Sequence, residues 1–220
     1  MSKYFFLNSW VVWGSITILV WSLFYLSFTS FFLLSLIIVP FLTIFRRSPV
    51  PFIDTVKVDK ELILSPSFGT IISIRQNTEL FETGEIGHEI RVALSFWNPK
   101  GLYLPTSSEV SYLHHLKGEH IPLDAEPEKF YGNLENISRT NVTFLNQRKV
   151  PISLRFIDRP NGVRPEIWMK TGDIGKAGAC FGYYILGGTL IIYLPKECNI
   201  LVYESERVVP GSTVIASLPL

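Results

Sequence analysis

The chain has 220 residues, enough for one ordinary domain with an appendage. Its formal net charge is +1 at pH 7, and 47% of its residues are hydrophobic. A near-neutral chain gives no reason to propose a nucleic-acid partner, since a phosphate-binding surface needs an excess of Lys and Arg on one face. Cys180 and Cys198 lack metal-ligand spacing, so we expect two free thiols.

The N-terminal residues predict a membrane anchor. The run from Tyr4 to Phe45 contains no charged residue, whereas Lys3 precedes it and Arg46 and Arg47 follow it. As one helix this run would be about 60 Å long, roughly twice the thickness of a bilayer core. Two helices joined as a hairpin are therefore expected rather than one.

The stretch Ser27–Ser30 divides this run into predicted helices over Trp10–Leu26 and Phe31–Phe45. Such a hairpin places both basic flanks on one side, which the positive-inside tendency makes cytoplasmic. The expected location is thus the cytoplasmic (inner) membrane, with the following domain facing the cytoplasm. Pro40 leaves open a re-entrant hairpin held in one leaflet.

The rest of the chain predicts a mainly β domain, folded as a compact barrel or sandwich. Short runs rich in Val, Ile, Phe and Tyr alternate with turn residues. The predicted organisation is a membrane hairpin over residues 1–45, a linker over 46–60 and the β domain over 61–220. The clearest candidate strands are Thr70–Ile74, Glu89–Ser95, Val150–Phe156, Leu190–Leu194 and Ile200–Tyr203.

Direct inspection for catalytic motifs finds no active site. No G-x-S-x-G, G-x-G-x-x-G or G-K-[ST] pattern occurs. The segment "HHLKGEH" gathers His114, His115 and His120 around Glu119, but this spacing matches no standard metal-ligand pattern. We expect this segment to be a solvated loop, with a metal site as the alternative.

A series of short motifs in the last third resembles the phosphatidylserine decarboxylase family, particularly its short membrane-tethered form. In that family a W-x-x-x-G-D turn precedes K-x-G, F-G, a G-S self-cleavage site and Y-L-P. The corresponding residues are Trp168, Gly172-Asp173, Lys176-Ala177-Gly178, Phe181-Gly182, Gly187-Gly188 and Tyr193-Leu194-Pro195.

Upstream segments agree with the family in order and spacing. "IFRRSP" at residues 44–49 is similar to the aromatic-Arg-x-Pro element after the family's membrane hairpin. "LSPSFGTIISI" at 64–74 resembles its S-P-A-D-G-x-V segment. "LSFWNPKGLYLPTSSEV" at 94–110 resembles its M-S-P-x-D-V-H-x-x-R-x-P segment. The resemblance therefore implies the family's fold for most of the chain.

The resemblance also implies a chemistry, and here the sequence departs from it. Family members cut their own chain between the Gly and Ser of the G-S site, and the serine becomes a pyruvoyl group that serves as an electron sink during decarboxylation. In this chain Gly187 precedes the cut and Gly188 stands at the serine position. Without a hydroxyl at residue 188, we expect no self-cleavage and no pyruvoyl cofactor.

The supporting groups of self-cleavage, a His held by an Asp, also differ. Phe68 stands at the Asp position, and the His position corresponds to Lys100, or to Leu102 if the alignment slips by two. Thr189 carries a hydroxyl next to the site, but its use would shift the cut by one residue.

Three functions follow as expectations. The first is a catalytically inactive phosphatidylserine decarboxylase-like membrane protein, which acts as a lipid-binding module or as a non-catalytic partner of an active paralogous decarboxylase or another membrane protein. The alternative is a decarboxylase, a carboxy-lyase, with altered self-processing. The third is a membrane-anchored scaffold or assembly subunit.

Overall fold

A computed structural model describes residues 9–25, 34–38, 62–79, 85–95, 98–119, 137–158 and 164–219. The chain divides into two compact units, Met1–Val50 and Pro51–Leu220.

In the first unit, helix α1 covers Ser9–Tyr25, close to the predicted helix over Trp10–Leu26. Residues 34–38 are also helical, and the rest of the predicted second helix, like the linker over 46–60, lies outside the described residues. Over the part of the chain that is described, no helix has both the length and the apolar character needed to cross a bilayer, and α1 itself has 17 residues.

The second unit is mainly β, as the sequence predicts. Its described strands are β1 (Leu62–Leu64), β2 (Gly69–Glu79), β3 (Ile86–Leu94), β4 (Gly101–Tyr103), β5 (Ser108–Leu116), β6 (Arg139–Asn146), β7 (Pro151–Ile157), β8 (Glu166–Ile167), β9 (Ile174–Gly175), β10 (Cys180–Tyr183), β11 (Gly188–Pro195), β12 (Asn199–Ile200), β13 (Arg207–Val208) and β14 (Val214–Ser217).

These strands form one large and two small antiparallel sheets. The eight-stranded sheet has the order β13-β2-β3-β11-β7-β6-β5-β9, and the three-stranded sheets have the orders β1-β14-β12 and β4-β10-β8. The strand predicted over Ile200–Tyr203 is shorter than expected, because only its first residue belongs to β12.

Strand β11 lies in the middle of the large sheet, paired with β3 and β7. Its sequence is a nearly continuous apolar run because both of its faces are buried. Leu190 and Ile192 face the main core, whereas Ile191 and Tyr193 belong to a smaller apolar cluster. This alternation fixes which side of the sheet each residue near the start of β11 occupies.

Candidate functional site

Gly187 and Gly188 form the corner between two sheets. Strand β10 belongs to a three-stranded sheet, whereas β11 begins at Gly188 in the eight-stranded sheet. The N–H of Gly187 donates to the carbonyl of Tyr184 at 3.2 Å and closes the connecting turn. The φ angles are +68° at Gly187 and +151° at Gly188. Both lie where residues with a β-carbon are rare, so the corner requires glycine.

Residue 188 has no room for a side chain. A β-carbon on residue 188 would lie 2.5 Å from the hydroxyl oxygen of Tyr184. That hydroxyl donates to the carbonyl of Ile157 at 2.5 Å, and the ring packs edge-to-face against Phe156 at 5.9 Å between centroids. Tyr184 is 1% exposed. Packing and a buried hydrogen bond therefore hold Tyr184 in the space that a serine side chain would need.

Gly187 is confined by backbone rather than by a side chain. A β-carbon on residue 187 would overlap the carbonyl oxygen of Leu94. Leu94 pairs with Gly188 at the end of β3, so the carbonyl is part of the sheet and cannot rotate away. This close approach accounts for the first glycine of the pair.

The structure brings the sequence-predicted site residues together at this corner. Phe68, Lys100 and Leu102 line one cleft with Tyr184 and Gly187. The cleft has a volume of about 10 Å³, close to the smallest space that holds one water molecule.

The two residues predicted at the His position have structural roles in this cleft. Lys100 is 7% exposed, and its ammonium donates to the carbonyl of Ser95 at 2.8 Å. Leu102 is 1% exposed, pairs with Gly182 and belongs to the main core. Neither side chain carries an imidazole, and Leu102 has no group that transfers a proton.

Sequence reasoning overlooked Tyr103. The S-P-x-D-V-H segment places its histidine four residues after its proline, and four residues after Pro99 is Tyr103. The Tyr103 ring packs edge-to-face against Phe68, with 6.5 Å between centroids, and it is 3% exposed. The count from Pro99 was the signal that could have identified this residue. On this count, Tyr103 is a further candidate for the His position, and its ring contacts Phe68.

Thr189 lies on the other side of the sheet from the corner cleft. It pairs with Ala93 and Ile157 at the start of β11. Because strand side chains alternate, Thr189 shares a face with Ile191 and Tyr193, not with the core-facing Leu190. Its hydroxyl is therefore not directed towards the cleft that Phe68 and Lys100 line.

The histidine segment differs from its prediction as a loop. His114 and His115 lie in β5, where cross-strand pairing with Asn141 and Thr140 extends the strand to Leu116. His120 lies outside the described residues. Within the described ranges, no group of three or more His, Cys, Asp or Glu side chains is placed to hold a metal ion.

The mainly β unit and its Gly187-Gly188 corner fall within the segment that a family model matches. A sequence model described as phosphatidylserine decarboxylase matches residues 52–216, and the chain belongs to this family. It is 26% identical to the phosphatidylserine decarboxylase proenzyme of Carboxydothermus hydrogenoformans, over 81% of this chain and 80% of that protein.

Two further relatives carry the same name. The chain is 30% identical to the phosphatidylserine decarboxylase proenzyme of Anaplasma phagocytophilum, over 74% of this chain and 70% of the relative. It is 28% identical to the phosphatidylserine decarboxylase proenzyme of Neorickettsia sennetsu, over 80% of this chain and 76% of the relative. The family is thus established from relatives that match most of both chains.

Proposed function

We propose that this chain is a non-catalytic member of the phosphatidylserine decarboxylase family that acts by binding membrane lipid or a protein partner. The observation that carries the proposal is Tyr184, which fills the space beside Gly188. A serine at residue 188 is the source of the family's pyruvoyl group, and glycine cannot supply its hydroxyl. The corner therefore does not fit that cofactor, and the electron sink of decarboxylation is missing.

The neighbouring side chains support the same proposal. Phe68 contacts Tyr103 through ring edges, and a phenyl ring neither accepts a proton nor orients a base. We infer that Tyr103 occupies the His position, in preference to Lys100 or Leu102. The nucleophile would then be replaced by Gly188, the base by Tyr103 and the group that orients the base by Phe68. All three groups of self-cleavage would be absent.

A membrane location is part of the proposal. Helix α1 carries apolar residues on all its sides, and its Trp13 and Trp21 are each 67% exposed. A helix of this kind is stable when lipid or protein covers it. With the basic flanks on one side, we propose anchoring at the cytoplasmic membrane by a spanning or re-entrant hairpin, with the β domain facing the cytoplasm.

A lipid conversion and binding assay tests this function. The full chain, purified in detergent, is reconstituted into vesicles that contain phosphatidylserine. We expect no release of CO₂ and no phosphatidylethanolamine, together with retention of serine lipid by the protein in detergent. Formation of phosphatidylethanolamine above that of empty vesicles would contradict the proposal.

The second candidate is an active decarboxylase with altered self-processing. It is favoured by the names of the relatives, which describe proenzymes. The same assay decides between the two, since this candidate predicts phosphatidylethanolamine. A scaffold or assembly subunit, the third candidate, predicts a protein that co-purifies from solubilised membranes without serine lipid.

A further inference from the structure

A second polar site lies beside the corner. We call His115, Ser138, Thr140 and Asp158 the His115 cluster. Pairing of β5 with β6 sets His115 opposite Thr140. Asp158 directly follows β7, and its N–H donates to the carbonyl of Ser138 at 3.0 Å. Residues far apart in sequence are therefore brought to one end of the eight-stranded sheet.

Strand register places this cluster next to Gly188. Thr189 pairs with Ile157, so the adjacent position of each strand sets Gly188 beside Asp158. The hydroxyl of Tyr184 gives independent support, because it approaches Gly188 and also donates to the Ile157 carbonyl. Neighbouring strands are about 5 Å apart. The His115 cluster thus begins one strand away from the family's reactive position.

The contacts within the cluster orient the His115 ring. Asp158 is 2% exposed, and its Oδ2 accepts a hydrogen bond from Ser138 Oγ at 2.8 Å. The same oxygen lies 3.7 Å from His115 Nδ1, which is 2.9 Å from Thr140 Oγ1. Both contacts of the His115 ring involve Nδ1, so Nε2 is the nitrogen that a ligand would meet. The His115 side chain is 24% exposed, which gives that ligand access.

The charges around His115 favour an anion. Burial lowers the pKa of His115, and the carboxylate of Asp158 opposes this by raising it. The charges of Arg164 and Lys117, and His114, act on the pKa of His115 in the same direction as burial and lower it. Arg164 and Lys117 are both exposed. A neutral imidazole beside these two cations can become positively charged when an anion arrives.

We propose that the His115 cluster, with Lys117 and Arg164, binds the phosphate of an anionic phosphate ester. This inference rests on the proposed lipid-binding function and gives it a site. The phosphate accepts hydrogen bonds from the Arg164 guanidinium and from Nε2–H, and His115 takes its second proton from solvent on binding. Thr140 Oγ1, 2.9 Å from Nδ1, positions the ring, and the Asp158 carboxylate at 3.7 Å stabilises its positive charge.

The test measures the His115 pKa in the full chain by NMR with ¹⁵N-labelled histidine. The protein is studied in detergent without phosphate, with inorganic phosphate, and in nanodiscs of phosphatidylserine or of a phosphate-free galactolipid. Phosphate close to the ring is expected to raise the pKa by about one pH unit. By linkage, protonation then strengthens phosphate binding about tenfold. If inorganic phosphate alone raises the His115 pKa, the site is assigned to free phosphate esters. If only phosphatidylserine raises this pKa, the site is assigned to the lipid head group.

Two exposed residues provide matched variants. Arg164→Gln is expected to abolish the rise, whereas Lys170→Gln, at an exposed turn position, is expected to retain it. A His115 pKa that no phosphate source changes would overturn the inference, as would a rise that persists in Arg164→Gln. Failure of the proposed function is detected separately, because it appears as phosphatidylethanolamine formation and not as an unchanged pKa.

Discussion

The hydroxyl of Tyr184 lies 2.5 Å from the point where a β-carbon on residue 188 would stand. The same hydroxyl donates to the carbonyl of Ile157, and the ring is fully buried against Phe156. The corner is therefore built around a glycine at residue 188, the residue that we propose replaces the family's serine. The absence of a hydroxyl at residue 188 and the packing of Tyr184 are therefore linked, because Tyr184 fills the space that a side chain at residue 188 would need.

Gly188→Ala is expected to destabilise the protein. The added methyl group meets the Tyr184 hydroxyl, and φ of +151° is unfavourable for alanine. Steric overlap and backbone strain together are expected to lower the free energy of unfolding by about 2–3 kcal/mol. Urea unfolding of the full chain in detergent, followed by near-UV circular dichroism, measures this change.

Tyr184→Phe supplies the control for Gly188→Ala. Alone, this substitution removes the hydrogen bond to the Ile157 carbonyl and is expected to lower the free energy of unfolding by about 1 kcal/mol. In the double variant the closest overlap disappears, so the loss should be smaller than the sum of the single losses. Strict additivity of the two losses would show that the hydroxyl does not occupy the serine space.

Gly187→Ala is expected to be more damaging than an alanine at another left-handed glycine. Residue 187 meets the Leu94 carbonyl, which belongs to the backbone, whereas no atom lies within 4 Å of a β-carbon on residue 172. Gly172→Ala, at φ +92°, is expected to cost only the backbone strain of about 1–2 kcal/mol. Equal melting temperatures for the two variants would contradict the close approach of Leu94.

Restoring the serine is not expected to restore self-cleavage. Gly188→Ser supplies a hydroxyl, but Phe68 and Tyr103, which contact each other at the proposed Asp and His positions, supply neither a carboxylate nor an imidazole. Adding Tyr184→Ala makes room for the serine and tests whether space alone was limiting. Both variants should remain a single chain by mass spectrometry, and a fragment beginning at residue 188 in either would show that another residue acts as the base.

Cys198 is expected to react slowly with iodoacetamide. Burial, assisted by the charge of Glu197, raises its pKa from 9.0 to about 11. At pH 8 only about 0.1% of the thiol is then ionised. The unfolded chain loses this proton first, so the contribution of the group to stability is present below pH 9 and is lost as the pH rises towards 11. Cys198→Ala should reduce this alkaline loss of stability, and an unchanged pH profile would contradict the assignment.

The sequence predicted the β architecture because alternation and apolar runs report burial directly. The strand predicted over Glu89–Ser95 lies inside β3 except for its last residue. The strand predicted over Leu190–Leu194 lies entirely inside β11. Strand pairing is a different matter, since it depends on residues far apart in the chain.

Tyr103 could have been found from the local count after Pro99, whereas two other missed features are products of that long-range pairing. Tyr184 acts through Ile157 and Phe156, which precede it by almost thirty positions. The sequence around His115 predicts a polar loop. In the structure, pairing with β6 places His115 in a strand, and Asp158, which follows β7, lies beside its ring. No local sequence pattern predicts the Tyr184 contacts or the His115 cluster, because neither is formed by residues that are neighbours along the chain.

The central claim, that the chain is never cut at Gly187-Gly188, is tested most directly by the intact mass of the protein purified from its membrane. The account predicts one chain of 25.1 kDa with no carbonyl that reacts with hydroxylamine. Either of two results would contradict it: a fragment that ends at Gly187 with a second fragment that begins at a free Gly188, or a fragment that ends at Gly188 with a second fragment whose blocked, hydroxylamine-reactive N-terminus derives from Thr189.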